Sequence, residues 1–300
     1  MSKIGVKIAR ASVKLFGRLP LGFHYAAGRF ATWIIRDVMR YRRDVVMANL
    51  ARSFPEKQYW ELEQIADAYY DHIGEIVAET IWFGASDGKR LHDSGVVTVS
   101  GADVLNRCFE NSPSVTVLYS HCGNWELMGG ILAYPVSGGG RLVFGESNVR
   151  VVYKRLHNGF SDAFFRLNRV APLVEENIAC TVESSDILRY ALKHKGEKKV
   201  YVYMADQYPY QSAFDVGKFM NQPTKAMPGS VKLAHKCGHS VVYMKMRRLG
   251  RGKYEFDYIP ICDDASRVSP EEMLRKYFDL LEEEIRENPS NWLWSHKRWK

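Results

Sequence analysis

Apolar positions recur at three- and four-residue steps through the first ninety residues. The clearest run is Tyr59 to Phe83, where Trp60, Leu62, Ile65, Ala66, Tyr69, Ile73, Ile76, Val77 and Ile81 share one face. This spacing predicts a long amphipathic helix with a break near Gly74. From Val96 onward the texture changes, and short β-branched runs alternate with helical stretches. VVTV (96–99), SVTVLYS (114–120), RLVFG (141–145), KKVYVYMAD (198–206), HSVVYMKMRRL (239–249) and KYEFDYIPI (253–261) read as strands. Strands alternating with helices predict an α/β fold, a mixed central sheet flanked by helices, with an antiparallel hairpin turning near Gly250 to Gly252. The last helix is marked at both ends, by Ser269 as N-cap with Pro270, Glu271 and Glu272 in its first turn, and by Asn288-Pro289 as its stop.

Charge sharpens this picture. The 300 residues carry a net charge of +8, but residues 1–58 hold twelve basic and three acidic side chains, so this end is at +9 and the rest sums to −1. A basic end meets an anionic surface, either a membrane leaflet or nucleic acid. Leu19 to Ile35 contains one charge, Arg29, and is flanked by Arg18 and by Arg36, Arg40, Arg42 and Arg43. Too short to span a bilayer and rich in Phe23, Tyr25, Phe30 and Trp33, it reads as an anchor lying in the membrane interface; the alternative is a helix packed on the core. The organisation expected is a helical membrane-associating region at 1–58 and a single α/β domain at 59–300. No nucleic-acid fold motif accompanies the basic end, and a nucleic-acid partner is not expected. Five cysteines, odd in number and without C-x-x-C or zinc spacing, predict a reduced, cytosol-facing compartment and no metal site. No secretory signal is expected either.

The chemistry concentrates in SHCGNWELMGG (120–130), which follows the strand SVTVLYS directly. A strand running through His, Gly and Asn into a helix puts His121 at the C-terminal edge of a sheet, where open α/β folds bind ligands. An imidazole can take a proton from a hydroxyl when a carboxylate holds its other nitrogen, and Glu126, five residues on, is one candidate for that carboxylate. A surface His-Glu pair is the competing reading. Cys122 offers a thiol nucleophile as an alternative route. Asp206 and Gln207 end the strand KKVYVYMAD and reach the same edge, Asp206 either in substrate binding or as a turn cap.

These residues resemble a known family, the late acyltransferases of lipid A biosynthesis and their lysophospholipid acyltransferase relatives, which carry an H-x4-E or H-x4-D motif. HCGNWE (121–126) matches it. YRRDVVMANLARSFPE (41–56), VVYKRLHNGFSD (151–162), MADQ (204–207), PGSVKLAHKCGHSVV (228–242) and NPSNWLWSHKRWK (288–300) resemble further family segments in the same order. The resemblance implies acyl transfer from a thioester of acyl carrier protein or coenzyme A to a hydroxyl of a lipid A precursor. It implies no bound cofactor, an anionic membrane lipid as partner, and a place on the cytoplasmic face of the bacterial inner membrane. His121 would be the general base, Glu126 its orienting carboxylate, and Lys154 or Arg155 the cation beside the oxyanion. Asn124, Arg169, Asp206 and Gln207 would line the substrate site, with Arg166 as a further phosphate contact. Lysophospholipids, aminolipids or other glycolipids are the alternative acceptors, and a non-catalytic lipid-binding protein is the alternative class. Three departures stand out: Lys154-Arg155 replaces the family's Arg-Pro pair, Cys122 follows the His, and FDVGKFMNQPT (214–224) lacks the family's Phe-Phe-Gly. The aromatic and basic tail from Trp292 to Trp299 suits either a lipid headgroup zone or a segment docked on the core.

Overall fold

The computed structural model describes residues 3–155, 159–169, 171–172, 180–207 and 213–299. Its helices are α1 (Lys3–Phe16), α2 (Leu21–Trp33), α3 (Arg43–Ser53), α4 (Tyr59–Phe83), α5 (Gly88–Ser94), α6 (Ala102–Asn111), α7 (Gly159–Arg169), α8 (Ile187–Lys193), α9 (Gly229–Cys237) and α10 (Pro270–Glu287). Its strands are β1 (Val97–Val99), β2 (Val115–Tyr119), β3 (Val149–Tyr153), β4 (Thr181–Glu183), β5 (Val200–Met204), β6 (Phe214–Phe219), β7 (Gln222–Ala226), β8 (Ser240–Gly250) and β9 (Lys253–Cys262). Among the described residues seven strands form one sheet in the order β1-β9-β8-β2-β5-β3-β4, and β6 pairs with β7 separately. Strands β2, β5, β3 and β4 run parallel, β8 runs parallel to β2, and the β8–β9 hairpin is antiparallel.

The sheet is covered on both faces, which is why all five residues of β2 are buried, its threonine, Thr116, bonded to His239 Nδ1 at 3.0 Å. Alternate side chains go to opposite sides. Leu118, Tyr201, Tyr203 and Tyr243 pack with Tyr277 and Leu281 of α10. Val115, Val117, Val200, Val202 and Met244 pack on the other face with Phe83, Leu91 and Leu105. Helix α3 is drawn into this body, with Val46 and Leu50 fully buried.

The helix at 59–83 is continuous, contrary to the break expected near Gly74. A Cβ at Gly74 would lie 2.0 Å from Thr32 Oγ1, and one at Gly28 would lie 2.7 Å from the Gly74 carbonyl. Gly74 is therefore a close-packing point for α2 and leaves the α4 ladder intact. The expected strand at 141–145 is also absent. Its backbone is tied to one side chain, with Asn106 Nδ2 donating to the Arg141 carbonyl at 2.8 Å and the Val143 N–H donating to Asn106 Oδ1 at 3.0 Å. Strand β3 (VRVVY) was not among the expected strands, and it carries a charge, Arg150. That guanidinium is buried, donating from Nε to the Tyr190 hydroxyl and from Nη1 to the Val149 carbonyl, each at 2.6 Å. The β6–β7 hairpin turns on Met220 and Asn221 at φ 50° and 62°, the paired left-handed residues of a tight two-residue turn.

Candidate active site

Tyr119 at the end of β2 stands opposite Met204 at the end of β5 in a parallel register. Two residues further along each chain come His121 and Asp206, so the register alone brings them together. His121 Nδ1 lies 2.7 Å from Asp206 Oδ1, and the His121 backbone N–H donates to Oδ2 at 3.0 Å. A third donor comes from the C-terminal segment, Trp292 Nε1 at 2.8 Å from the same Oδ2.

Asp206 is buried, and burial alone would raise its pKa. The charge and hydrogen bonds of His121, joined by the Trp292 indole, outweigh burial and hold it at about 2. An ionised carboxylate can only accept, so the neutral imidazole carries its proton on Nδ1 and keeps a lone pair on Nε2. That lone pair accepts from Gln207 Nε2 at 2.9 Å. The Trp125 ring meets the imidazole edge at a centroid distance of 5.1 Å.

The expected His121–Glu126 pair is not formed. Glu126 gives both oxygens to Arg169, Oε2 to Nε at 2.9 Å and Oε1 to Nη2 at 2.8 Å. Local geometry accounts for this difference. Residues Trp125–Gly130 form a 3-10 turn in place of the expected helix, begun by Asn124 Oδ1 accepting from the Glu126 N–H at 3.2 Å. Within the turn, a Cβ at Gly129 would lie 2.1 Å from the Arg169 carbonyl, so the missing side chain lets the end of α7 approach.

The other expected site residues divide. Asn124 is fully buried and faces inward, donating to Glu79 Oε2 at 2.8 Å. Glu79 also accepts from the Tyr25 and Tyr254 hydroxyls at 2.9 Å each, so Asn124 braces the turn from beneath. Lys154 and Arg155 are exposed where β3 ends, on the same sheet edge but two strands from β2, roughly 10 Å away. Arg155 pairs there with Glu183 at 3.3 Å. The side chain of Arg166 lies outside the described residues. Cys122 is fully buried, and burial pushes its thiol pKa well up, the opposite of an activated nucleophile.

Two contributors escaped the sequence reading, Glu79 and Trp292. Glu79 sits on the buried face of α4 at a position the apolar periodicity leaves to polar residues, with no sequence signal of its own. Trp292 lies in a tail whose docking on the core was one of two open readings. That docking is found, with Trp292, Trp294 and Arg298 at most 2% exposed.

Together these groups can act chemically as an oriented base. The imidazole Nε2 meets the Gln207 amide, the buried Asp206 carboxylate holds Nδ1, and Arg169 is fixed to the turn by Glu126. Compared with known protein families, residues 3–300 match the model described as bacterial lipid A biosynthesis acyltransferase. No curated protein matches the chain.

Proposed function

Because the chain belongs to the bacterial lipid A biosynthesis acyltransferase family, we propose that it moves a fatty acyl chain from an acyl thioester, carried by acyl carrier protein, to a hydroxyl of a lipid A precursor. The observation that carries the mechanism is the His121–Asp206 pair at 2.7 Å with the imidazole lone pair directed to Gln207. Gln207 marks where the acceptor hydroxyl sits. On binding, the hydroxyl displaces the amide and gives its proton to Nε2 as its oxygen attacks the thioester carbon. The tetrahedral intermediate then collapses, the C–S bond breaks, and the thiolate takes the proton back from the imidazolium. One ester forms, one thioester is lost, and no acyl-enzyme intervenes.

Asp206 stabilises the imidazolium and fixes its tautomer. Arg169, locked by Glu126 on the turn that follows His121, replaces Lys154 and Arg155 in the proposed role beside the oxyanion. Lys154 and Arg155, at the same sheet edge, are better placed for phosphates of the acceptor or of the donor's carrier arm.

The N-terminal helices supply the membrane side of this reading. Helix α2 buries His24, Gly28 and Thr32, the last two against α4, and turns Phe23, Phe30 and Trp33 outward, each more than half exposed. Leu15 and Phe16 of α1 are also exposed, close in sequence to Lys14 and Arg18. No helix among the described residues is long and apolar enough to cross a membrane. An in-plane apolar face edged with cations fits an anionic leaflet, and in this reading the acceptor lipid lies beside the enzyme on the cytoplasmic face of the inner membrane.

The test is mass spectrometry of membrane lipids from a host expressing the chain or its His121→Ala variant. The expected result is a lipid A species heavier by one acyl chain, present only with His121 intact. Equal acylation by the variant would remove the base; a gain on a different lipid would replace the acceptor and keep the chemistry.

A further inference from the structure

We propose that Trp292 is a positioning residue of the His121–Asp206 pair, so that the docked C-terminal segment is a working part of the active site. Asp206 uses both oxygens. Oδ1 receives His121 Nδ1, while Oδ2 receives the His121 backbone N–H and the Trp292 indole N–H at 3.0 and 2.8 Å. The two donors on Oδ2 pin the carboxylate from different parts of the chain, and so set which oxygen faces the imidazole. With only the backbone donor left, the carboxylate can rotate about its Cβ–Cγ bond and loosen its hold on Nδ1.

The segment around Trp292 is built to keep that indole in place. The Gly123 N–H, two residues from the base, donates to the Asn291 carbonyl at 3.0 Å, and Cys122 and Trp292 form an antiparallel bridge. Asn49 Nδ2 reaches the Trp294 and His296 carbonyls at 2.8 and 3.0 Å, and Tyr69 bonds Ser295 at 2.8 Å. On the other side the Trp299 indole donates to Thr224 Oγ1 at 2.9 Å. Trp292 itself lies between Phe219, Trp294 and Trp299, with ring centroids at 5.8, 4.8 and 5.8 Å. Such a cage locks the ring, and a locked donor is what an orienting hydrogen bond needs.

Trp292→Phe keeps an aromatic ring in this cage and deletes the N–H. The experiment has two readouts. The ¹⁵N spectrum of histidine-labelled protein, with His121 assigned by its absence in His121→Ala, reports which nitrogen carries the proton. Wild type is expected to hold the proton on Nδ1, and Trp292→Phe to show a mixture of tautomers. Acyl transfer, which enters only because the inference rests on His121 as the base, is expected to lose about 10- to 100-fold in kcat with both KM values unchanged, the cost of one hydrogen bond to a charged group. A folded Trp292→Phe with the wild-type tautomer overturns the proposal, and so does a loss that falls on KM. A shifted tautomer with full activity would leave Trp292 as the orienting group and remove His121 as the base, which separates the two failures.

Discussion

Replacing Asp206 with Asn changes one atom and strikes the pair from both sides. In the wild type Oδ2 accepts two N–H groups and Oδ1 accepts a third. An amide can keep its oxygen toward His121 Nδ1 only by turning its NH2 against the His121 and Trp292 donors. Flipped, it meets those donors correctly but presents N–H to Nδ1, which drives the imidazole proton to Nε2 and occupies the lone pair that the acceptor hydroxyl needs. Either way the developing imidazolium loses its partner charge. At a charge separation of roughly 4 Å and an effective dielectric near 20, that loss is about 4 kcal/mol, or about a thousandfold in kcat. The assay is the initial rate of transfer from an acyl thioester to the lipid acceptor at saturating concentrations, with a melting curve to show that the variant is folded. A second reading comes from acid. The folded Asp206 value of about 2 lies below its ordinary 3.8, so its stabilisation is present above about pH 4 and is lost as pH falls toward 2. The gap in melting temperature between wild type and Asp206→Asn should therefore close across that window. A folded Asp206→Asn within about tenfold of wild-type kcat would refute the assignment of Asp206 as the orienting anion.

Two further perturbations test the surroundings. Glu284 of α10 is buried against β8, accepting from the Met246 N–H at 3.0 Å and from the Tyr243 hydroxyl, and burial raises its pKa from 4.5 to about 8. The fold then binds a proton that the unfolded chain releases, so stability falls as pH climbs from 4.5 to 8; Glu284→Gln should flatten this slope and raise the melting temperature at pH 8 more than at pH 5, and an unchanged slope would show that Glu284 is ionised in the fold. Cys122→Ala should keep wild-type kcat with a melting temperature lowered by a few degrees, and wild-type Cys122 should resist iodoacetamide in the native protein; loss of transfer in a folded Cys122→Ala would reopen a covalent acyl-thioester route.

Most of the fold was legible because its strongest elements announce themselves by period and punctuation. Helix α4 spans the predicted 59–83, α10 begins on Ser269, whose Oγ accepts from the Glu272 N–H at 3.2 Å, and the β8–β9 hairpin turns at Gly250 to Lys253. What failed was context dependence. RLVFG has strand composition but finds its hydrogen-bond partners in Asn106, while VRVVY, not among the expected strands, buries a charge, Arg150, whose Nε donates to the Tyr190 hydroxyl. Gly74, a weak point in an isolated helix, is here the place where a second helix must come closest. A one-dimensional pattern records none of these partners, because each lies on a different element.

The site shows the same division more sharply. His121 was legible because a polar residue closing an apolar strand has a defined place in an α/β sheet. Its partner was misplaced because proximity along the chain stood in for proximity in space. Glu126 is five residues away, yet the 3-10 turn and the contact at Gly129 deliver it to Arg169. Asp206 is eighty-five residues away, yet the β2–β5 register places it opposite. Knowing that SVTVLYS and KVYVYM are adjacent parallel strands would have been enough, since equal two-residue offsets from their ends fall at the same height. Trp292 needed still more, the return of the C-terminal tail across the sheet edge. The His121–Asp206 pairing is therefore a property of strand order: the short motif supplies the imidazole, while distant segments supply the carboxylate and the indole donor that hold it.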